Sequence, residues 1–323
     1  MTQSAEFVAV DWGTTNLRLR LLGEKGPPIA ESSSAEGIGA VAAGRHPSVL
    51  LAALRGLLEP AGRWDAWWTS GGEIECAGMV TSSLGPYPTP YLSIPAGIGE
   101  IAAGRRVEKL GRFALHLYPG LRTGDDVMRG EEVEAVGILG QPSSPSEATL
   151  VLPGTHSKWI RWREGKITDF ATVPTGDLHA GLHRATLLSR TLPPEPAAIL
   201  EAADGEGAGE EAALLRAFDR GVDLARRDGP LASLFKVRAL PVLEELEPDE
   251  ASALLSGILI GGEVLERVRG SDVPVHVGGA SRLRRLYLRA FLRLDLLAAE
   301  VPGDLADRAS AEGLRLIRAL GLR

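Results

Sequence analysis

The chain has 323 residues with 35 basic and 42 acidic side chains, a net charge of -7 and a pI of about 5.5. That length gives two domains, its globular composition (44% apolar, 24% charged) excludes disorder, and its acidity argues against nucleic acid or an anionic membrane surface as partner. A single cysteine (Cys76), no apolar run near the roughly 18 residues of a membrane span, and a polar start without a basic leader segment read as a protein of the reducing cytoplasm.

Phe7, Val8, Ala9 and Val10 form an apolar run with the pattern of a buried strand, and residues 11–16 (DWGTTN) read as a turn. Residues 17–22 alternate with period two, so the two runs predict a hairpin with a Gly/Thr/Asn tip. Residues 32–44 read as a loop, 49–58 as a helix and 64–72 as a strand and turn. Residues 77–97 carry Pro86, Pro88, Pro90 and Pro95 and predict a long irregular segment, which in a compact domain is usually functional. Residues 113–118 read as a strand. Residues 126–139 open with acids and continue with helical apolar spacing, which predicts a helix.

Residues 141–146 (QPSSPS) are the best linker. Beyond them the opening pattern returns: a strand at 150–152, a turn at 153–158 (PGTHSK) and a strand at 159–162. The rest reads as helices at 182–189, 210–227, 249–269, 282–293 and 306–320, with a strand at 273–277 ending in Gly278 and Gly279. The expectation is an N-terminal α/β domain over 1–143 and a C-terminal one over 144–323, with the last helix, about 304–323, packing back on the first domain.

Asp11 follows an apolar strand, where a carboxylate is costly to bury unless it binds something. An aspartate satisfied by its own turn is an equal reading. Beside it, the amides of Gly13 and Thr14 and the hydroxyls of Thr14 and Thr15, with Asn16, suit phosphate oxygens and a hydrated Mg²⁺. The second turn offers Gly154, Thr155, His156, Ser157 and Lys158. Two such hairpins facing one another across a domain cleft would cradle a polyphosphate. Gly278 and Gly279 form either a tight turn or a backbone close to a planar ligand. In the acidic cluster at 125–132, Asp126 could accept a proton from a substrate hydroxyl and Arg129 could grip a carboxylate, although a solvated helix start explains such a cluster more simply. No Walker motif and no metal-ligand spacing occurs, and His179 and His183 read as helix-surface histidines.

Taken together, the two Gly/Thr hairpins, the Gly-Gly turn and the intervening helices resemble the superfamily of sugar kinases, heat-shock chaperones and actin. Within it the chain resembles the 2-dehydro-3-deoxygalactonokinase family through VDWGTTNLR (10–18), GMVTSSLGPYPTPYLSIPA (78–96), DVMRGEE (126–132), LPGTHSKW (152–159), TGDLH (175–179) and LLSGILIGGE (254–263). The resemblance implies two ribonuclease H-like (actin/hexokinase-type) α/β domains with a ligand cleft between them. It implies transfer of the ATP γ-phosphate to the 6-hydroxyl of 2-dehydro-3-deoxy-D-galactonate. Asp11 would orient Mg²⁺ through water, Gly154 to Lys158 would hold phosphates, and Gly278 and Gly279 would lie against adenosine. Asp126 takes the place of the base, with Asp125 and Glu131 near enough to compete for it. Gly78, Met79, Ser82, Ser83, Tyr91, Pro95, Ala96 and Arg129 would line the sugar acid. Ser83, Pro86 and Asp177 depart from the family pattern, two of them in the substrate loop. Another sugar kinase of the superfamily, or a nucleotide-switched binding protein, is the alternative. The sequence leaves a homodimer open.

Overall fold

β1 (Phe7–Trp12) buries nearly all its side chains and β2 (Leu17–Leu22) alternates buried leucines with its arginines, so they pair antiparallel with Asp11 opposite Arg18. The computed structural model describes residues 6–196, 199 and 208–321. β3 (Ala30–Ser34), β4 (Glu73–Gly78), β7 (Arg106–Leu110) and β8 (Phe113–Leu117) complete a sheet ordered β3-β2-β1-β4-β8-β7, in which β1, β4 and β8 are parallel. α1 (His46–Leu58) lays Leu50, Leu54 and Leu57 on Val8, Val10 and Leu19 from the sheet, in a core that includes Trp12 and Cys76. Burial pushes the Cys76 thiol far above its ordinary pKa, which leaves it inert.

A small sheet links the two parts of the sequence expected to hold substrate. β9 (Leu121–Arg122) pairs with both β5 (Leu92–Ser93) and β10 (Val127–Met128). β6 (Ala96–Gly97) leads into α3 (Ile98–Ala103), where Glu100 accepts the Gly97 amide at 2.9 Å. α2 (Trp64–Ser70) and α4 (Glu131–Leu139) complete this part.

Contacts divide the chain into two units. The first holds residues up to Ser146, Ile160–Phe170 and the chain from Arg308; the second holds Glu147–Trp159 and Ala171–Asp307. The later elements are β11 (Glu147–Leu152), β12 (Ser157–Arg163), β13 (Lys166–Val173), α5 (Thr175–Ala185), α6 (Ala208–Asp228), α7 (Pro230–Ser233), α8 (Lys236–Val242), α9 (Pro248–Val268), β14 (Val275–Val277), α10 (Ser281–Arg293), β15 (Ala299–Glu300) and α11 (Gly303–Gly321). In the second unit β14 runs parallel between β11 and β15, beneath a core of Phe218, Val222, Ile260, Tyr287 and Phe291. In the first, Arg318 of α11 meets Glu75 of β4 at 2.6 Å. Among the described residues, no helix is long and apolar enough to cross a membrane.

Four sequence expectations are corrected. Residues 64–70 are helical, because Trp64 and Trp68 stack one turn apart at 5.3 Å while Trp67 turns inward; three tryptophans in seven residues mimic strand composition. The helix expected from Asp126 begins at Glu131, because Val127 and Met128 are taken up by β9 and Gly130 breaks the run at φ 106°. Residues 32–34, the start of the expected loop, belong to β3 on the exposed edge of β2. The helix expected at 182–189 is the end of α5, which stops at Ala185. A separate 3₁₀ turn follows, capped by Thr186 through the Leu188 amide.

Candidate active site

In the first unit the parallel register of β1 and β4 sets Trp12 beside Gly78, so Asp11 stands at the strand ends where the irregular segment begins. Gly78 has φ 90°, and a Cβ there would come 2.8 Å from the Trp12 carbonyl and 3.5 Å from the Asp11 carboxylate; only glycine fits. Gly130 closes on the same spot, its own Cβ position 3.2 Å from the Gly78 Cα. The chain thereby brings Asp11, the start of the 78–96 segment and the acidic cluster before α4 together.

Asp11 pairs with Arg18 at 3.4 Å, but burial outweighs that charge and raises its pKa. Glu134, one turn into α4, is pushed up to about 8, by burial first and then by the charges of Asp11 and Glu131. Two hard carboxylates held against their own repulsion fit a hydrated Mg²⁺. The tip itself is braced from behind: the Gly37 and Gly39 amides donate to the Thr15 and Thr14 carbonyls, each at 3.0 Å. The Gly13 amide is used on Asn16 at 2.9 Å, whereas Thr14, Thr15 and Asn16 are exposed.

Arg129 is 9% exposed. Its Nη1 donates to the hydroxyls of Thr81 (2.6 Å) and Thr89 (2.9 Å), its Nη2 to the Thr89 carbonyl (3.1 Å), and its guanidinium lies 4.2 Å over the Tyr91 ring. Its Nε is buried without a partner, and among the described residues no carboxylate pairs with it. Ser82 is also buried. Its hydroxyl donates to the Met79 carbonyl and accepts the Leu84 and Gly85 amides. Ser83, Tyr91 and Pro95 are exposed, Met79 is half-buried and Ala96 is buried in β6.

Of the acids, Asp126 is half-buried in the turn before β10; its amide bonds Thr123 at 2.9 Å and its carboxylate accepts the Val127 amide at 2.7 Å. Asp125 is exposed and bound to Thr123. Glu131 accepts the Arg129 amide at 3.0 Å. Glu132 is fully buried on the Gly130 amide and is raised to about 8, chiefly by desolvation.

In the second unit the loop after β11 rests on the start of α5. A Cβ on Gly176 would come 2.6 Å from the Gly154 carbonyl, and the Asp177 amide donates to Thr155 at 3.0 Å. The Gly278 amide donates to Val151 at 2.9 Å, and the Cβ position of Gly279 lies 3.2 Å from Pro153. Gly154, Thr155, Gly278 and Gly279 are thus one cluster. His156 and Asp177 stand 3.8 Å apart, both exposed. Ser157 and Lys158 turn elsewhere, the serine to Tyr287 at 2.8 Å and the lysine to Thr172 at 2.6 Å.

Behind this cluster lies a hub that sequence reasoning missed. Glu263 of α9 accepts Trp159 Nε1 (2.6 Å), Tyr287 OH (2.6 Å) and the Thr175 hydroxyl, so one buried carboxylate ties β12, α5, α9 and α10 behind the loop. Burial raises its pKa against those hydrogen bonds. A lone carboxylate closing the apolar run at 254–263 was the available signal. His179 and His183 are corrected too: His183 is 3% exposed, and His179 lines a cavity of about 270 Å³ beside Gly154 and Thr155.

The mixed α/β sheets, a Gly/Thr loop in each unit and the clustered carboxylates of the first fit a phosphotransferase, and the comparisons make it a sugar kinase. The chain belongs to the 2-keto-3-deoxy-galactonokinase family, whose model matches residues 11–317. It is 34% identical to 2-dehydro-3-deoxygalactonokinase of Escherichia coli (strain K12) over 322 residues, covering 97% of this chain and 98% of that one. A second relative, from Rhizobium meliloti (strain 1021), is 33% identical over 317 residues, 96% of each chain, and carries the same kinase name. A crystal structure assigned to this kinase, from Sinorhizobium meliloti, superposes with a TM-score of 0.80 at 30% identity over 97% of this chain and 98% of that one.

Proposed function

We propose that this sugar kinase transfers the γ-phosphoryl group of ATP to the 6-hydroxyl of 2-dehydro-3-deoxy-D-galactonate, giving the 6-phosphate and ADP in the cytoplasm. The observation that carries the acid substrate is Arg129, a buried guanidinium whose Nε has no hydrogen-bond partner and which, among the described residues, makes no ion pair with a carboxylate. A buried cation without an ion pair is expensive, and a ligand carboxylate near the Thr81–Thr89 turn offsets that cost. The names of the relatives support the choice of this particular acid.

Phosphoryl transfer asks the protein for position and charge rather than covalent chemistry. In the first unit the exposed tip residues Thr14, Thr15 and Asn16 take phosphate oxygens, and in the second unit Gly154 and Thr155 do so. Asp11 would hold Mg²⁺, which when bound would neutralise charge on the phosphates. Asp126 accepts the proton of the 6-hydroxyl, and Glu131 fixes the Arg129 backbone beside it.

A substrate panel tests this. ADP release should require 2-dehydro-3-deoxy-D-galactonate, fall with its 4-epimer and vanish with galactose, and phosphorus NMR should show a primary phosphate ester. Equal turnover of plain hexoses, or sugar-independent hydrolysis of ATP, would sink the reading.

A further inference from the structure

The cavity of about 270 Å³ in the second unit, at the small end for a ligand site, has an end that the phosphate loop does not explain. It opens at Gly154 and Thr155 and runs between α5, α9 and α10, with His179, Ser256, Leu259 and Arg282 in its wall. Among the described residues no carboxylate lines it, and Leu259, Ile260, Leu283 and Leu286 give it apolar sides. A flat, uncharged, largely apolar group attached to a polyphosphate fits such a space, and a nucleobase is that group.

The polar wall is specific about hydrogen bonds. The Ser256 hydroxyl has one hydrogen and donates it to the Ser252 carbonyl at 3.2 Å. With that hydrogen so placed, its 3.1 Å contact with His179 Nε2 has the imidazole N–H as donor. In that arrangement His179 is the Nε2–H tautomer with a lone pair on Nδ1, and among the described residues the hydrogen bond of the ring is the one to Ser256. Stacking on His183, with ring centroids 5.8 Å apart, fixes the ring. Burial and the neighbouring His183 lower the His179 pKa to about 4, so the ring is neutral at pH 7 and offers an acceptor, not a donor.

The geometry points to His179 as the residue that selects the base of the phosphoryl donor, accepting from a 6-amino purine and rejecting a 6-oxo purine, with Ser256 as the positioning residue that locks its tautomer. This rests on the kinase reading above. A 6-oxo base would set carbonyl oxygen against the Nδ1 lone pair, and a buried acceptor left unpaired costs enough to change affinity about tenfold to a hundredfold.

ATP and ITP differ only in the base, so they are the probe. Wild-type kcat/KM should favour ATP by about tenfold or more, and calorimetry should show ADP binding more tightly than IDP by a similar factor. Ser256→Ala keeps the imidazole but frees its tautomer, so the ATP/ITP ratio should fall toward one while the KM for the sugar acid holds. His179→Leu should weaken ATP and leave ITP nearly unchanged. A wild-type ratio near one in both turnover and binding overturns the base assignment with the kinase reading intact. An unchanged ratio in folded Ser256→Ala overturns the tautomer lock. If neither nucleotide binds or turns over, both readings fall together. The wild-type arms stand even if a variant fails to fold.

Discussion

Gly130 and Gly78 meet backbone to backbone: a Cβ on Gly130 would lie 3.2 Å from the Gly78 Cα. That contact sets the acidic cluster against the end of β4, one register place from Asp11. Gly130 also has φ 106°, so an L side chain is strained there whatever the space. Gly130→Ala should destabilise the fold by about 1–3 kcal/mol and lower kcat. Gly124→Ala, with nothing within 4 Å of its added methyl, is the control and should change neither. Thermal unfolding and steady-state rates measure both; matched behaviour of the two variants would refute the contact.

Arg129 holds Thr81 and Thr89 and carries the unpaired charge. Arg129→Met should raise KM for the sugar acid far more than KM for ATP. Arg129→Lys keeps the charge but loses the fork, so it should recover part of the sugar-acid affinity while the 81–91 turn loosens. If KM for the sugar acid is untouched in both, the arginine serves only the turn.

Asp126→Asn preserves the shape that accepts the Val127 amide and removes the basicity. As the base, its loss should cost about 10²–10⁴ in kcat, with ATP and sugar-acid binding by calorimetry little changed. Asp125→Asn carries the same charge change one residue away and should keep activity. The reverse pattern would move the base by one position, and activity retained in both would move it to Glu131.

Glu263 receives three side-chain donors from three elements. Glu263→Leu takes this acceptor from Trp159 and Thr175 and leaves Tyr287 only Ser157, and should cost about 3–5 kcal/mol. Glu263→Gln keeps the shape and should cost about 1–2 kcal/mol. Chemical denaturation resolves the two. Equal, negligible losses would show that the hub is not what holds the loop.

His179 is held neutral by burial and by His183, with a native pKa of about 4 against 6.5 when unfolded. Between those values the unfolded chain binds a proton that the native one refuses, so stability falls as pH drops from about 6.5 to 4 and is level above. The loss attributable to this group over the whole window is about 3 kcal/mol. Denaturation at pH 7.5 and 4.5 should show a steeper acid loss for wild type than for His179→Gln. Parallel curves would mean that the ring is solvated.

What the sequence determined by itself was local. The Phe7–Leu22 hairpin and its counterpart before Trp159 are written in alternation and glycine placement. α9 is written in Pro248 at its first turn and a Glu250 side chain returning to the Glu247 amide. Asp11 at a strand end and the two Gly loops were legible for the same reason, since short-range backbone rules fix them. The tertiary structure alone decided the rest. Trp64 is helical because its ring stacks on Trp68 and packs on Phe113, far along the chain. Arg129 is spent on Thr81 and Thr89, and Glu263 gathers Trp159 and Thr175 from 104 and 88 residues away. His179 meets Ser256 across 77 residues. Such partnerships leave no periodicity in the chain, because a side chain's hydrogen-bond partner depends on which surfaces packing brings together, and burial then fixes its charge.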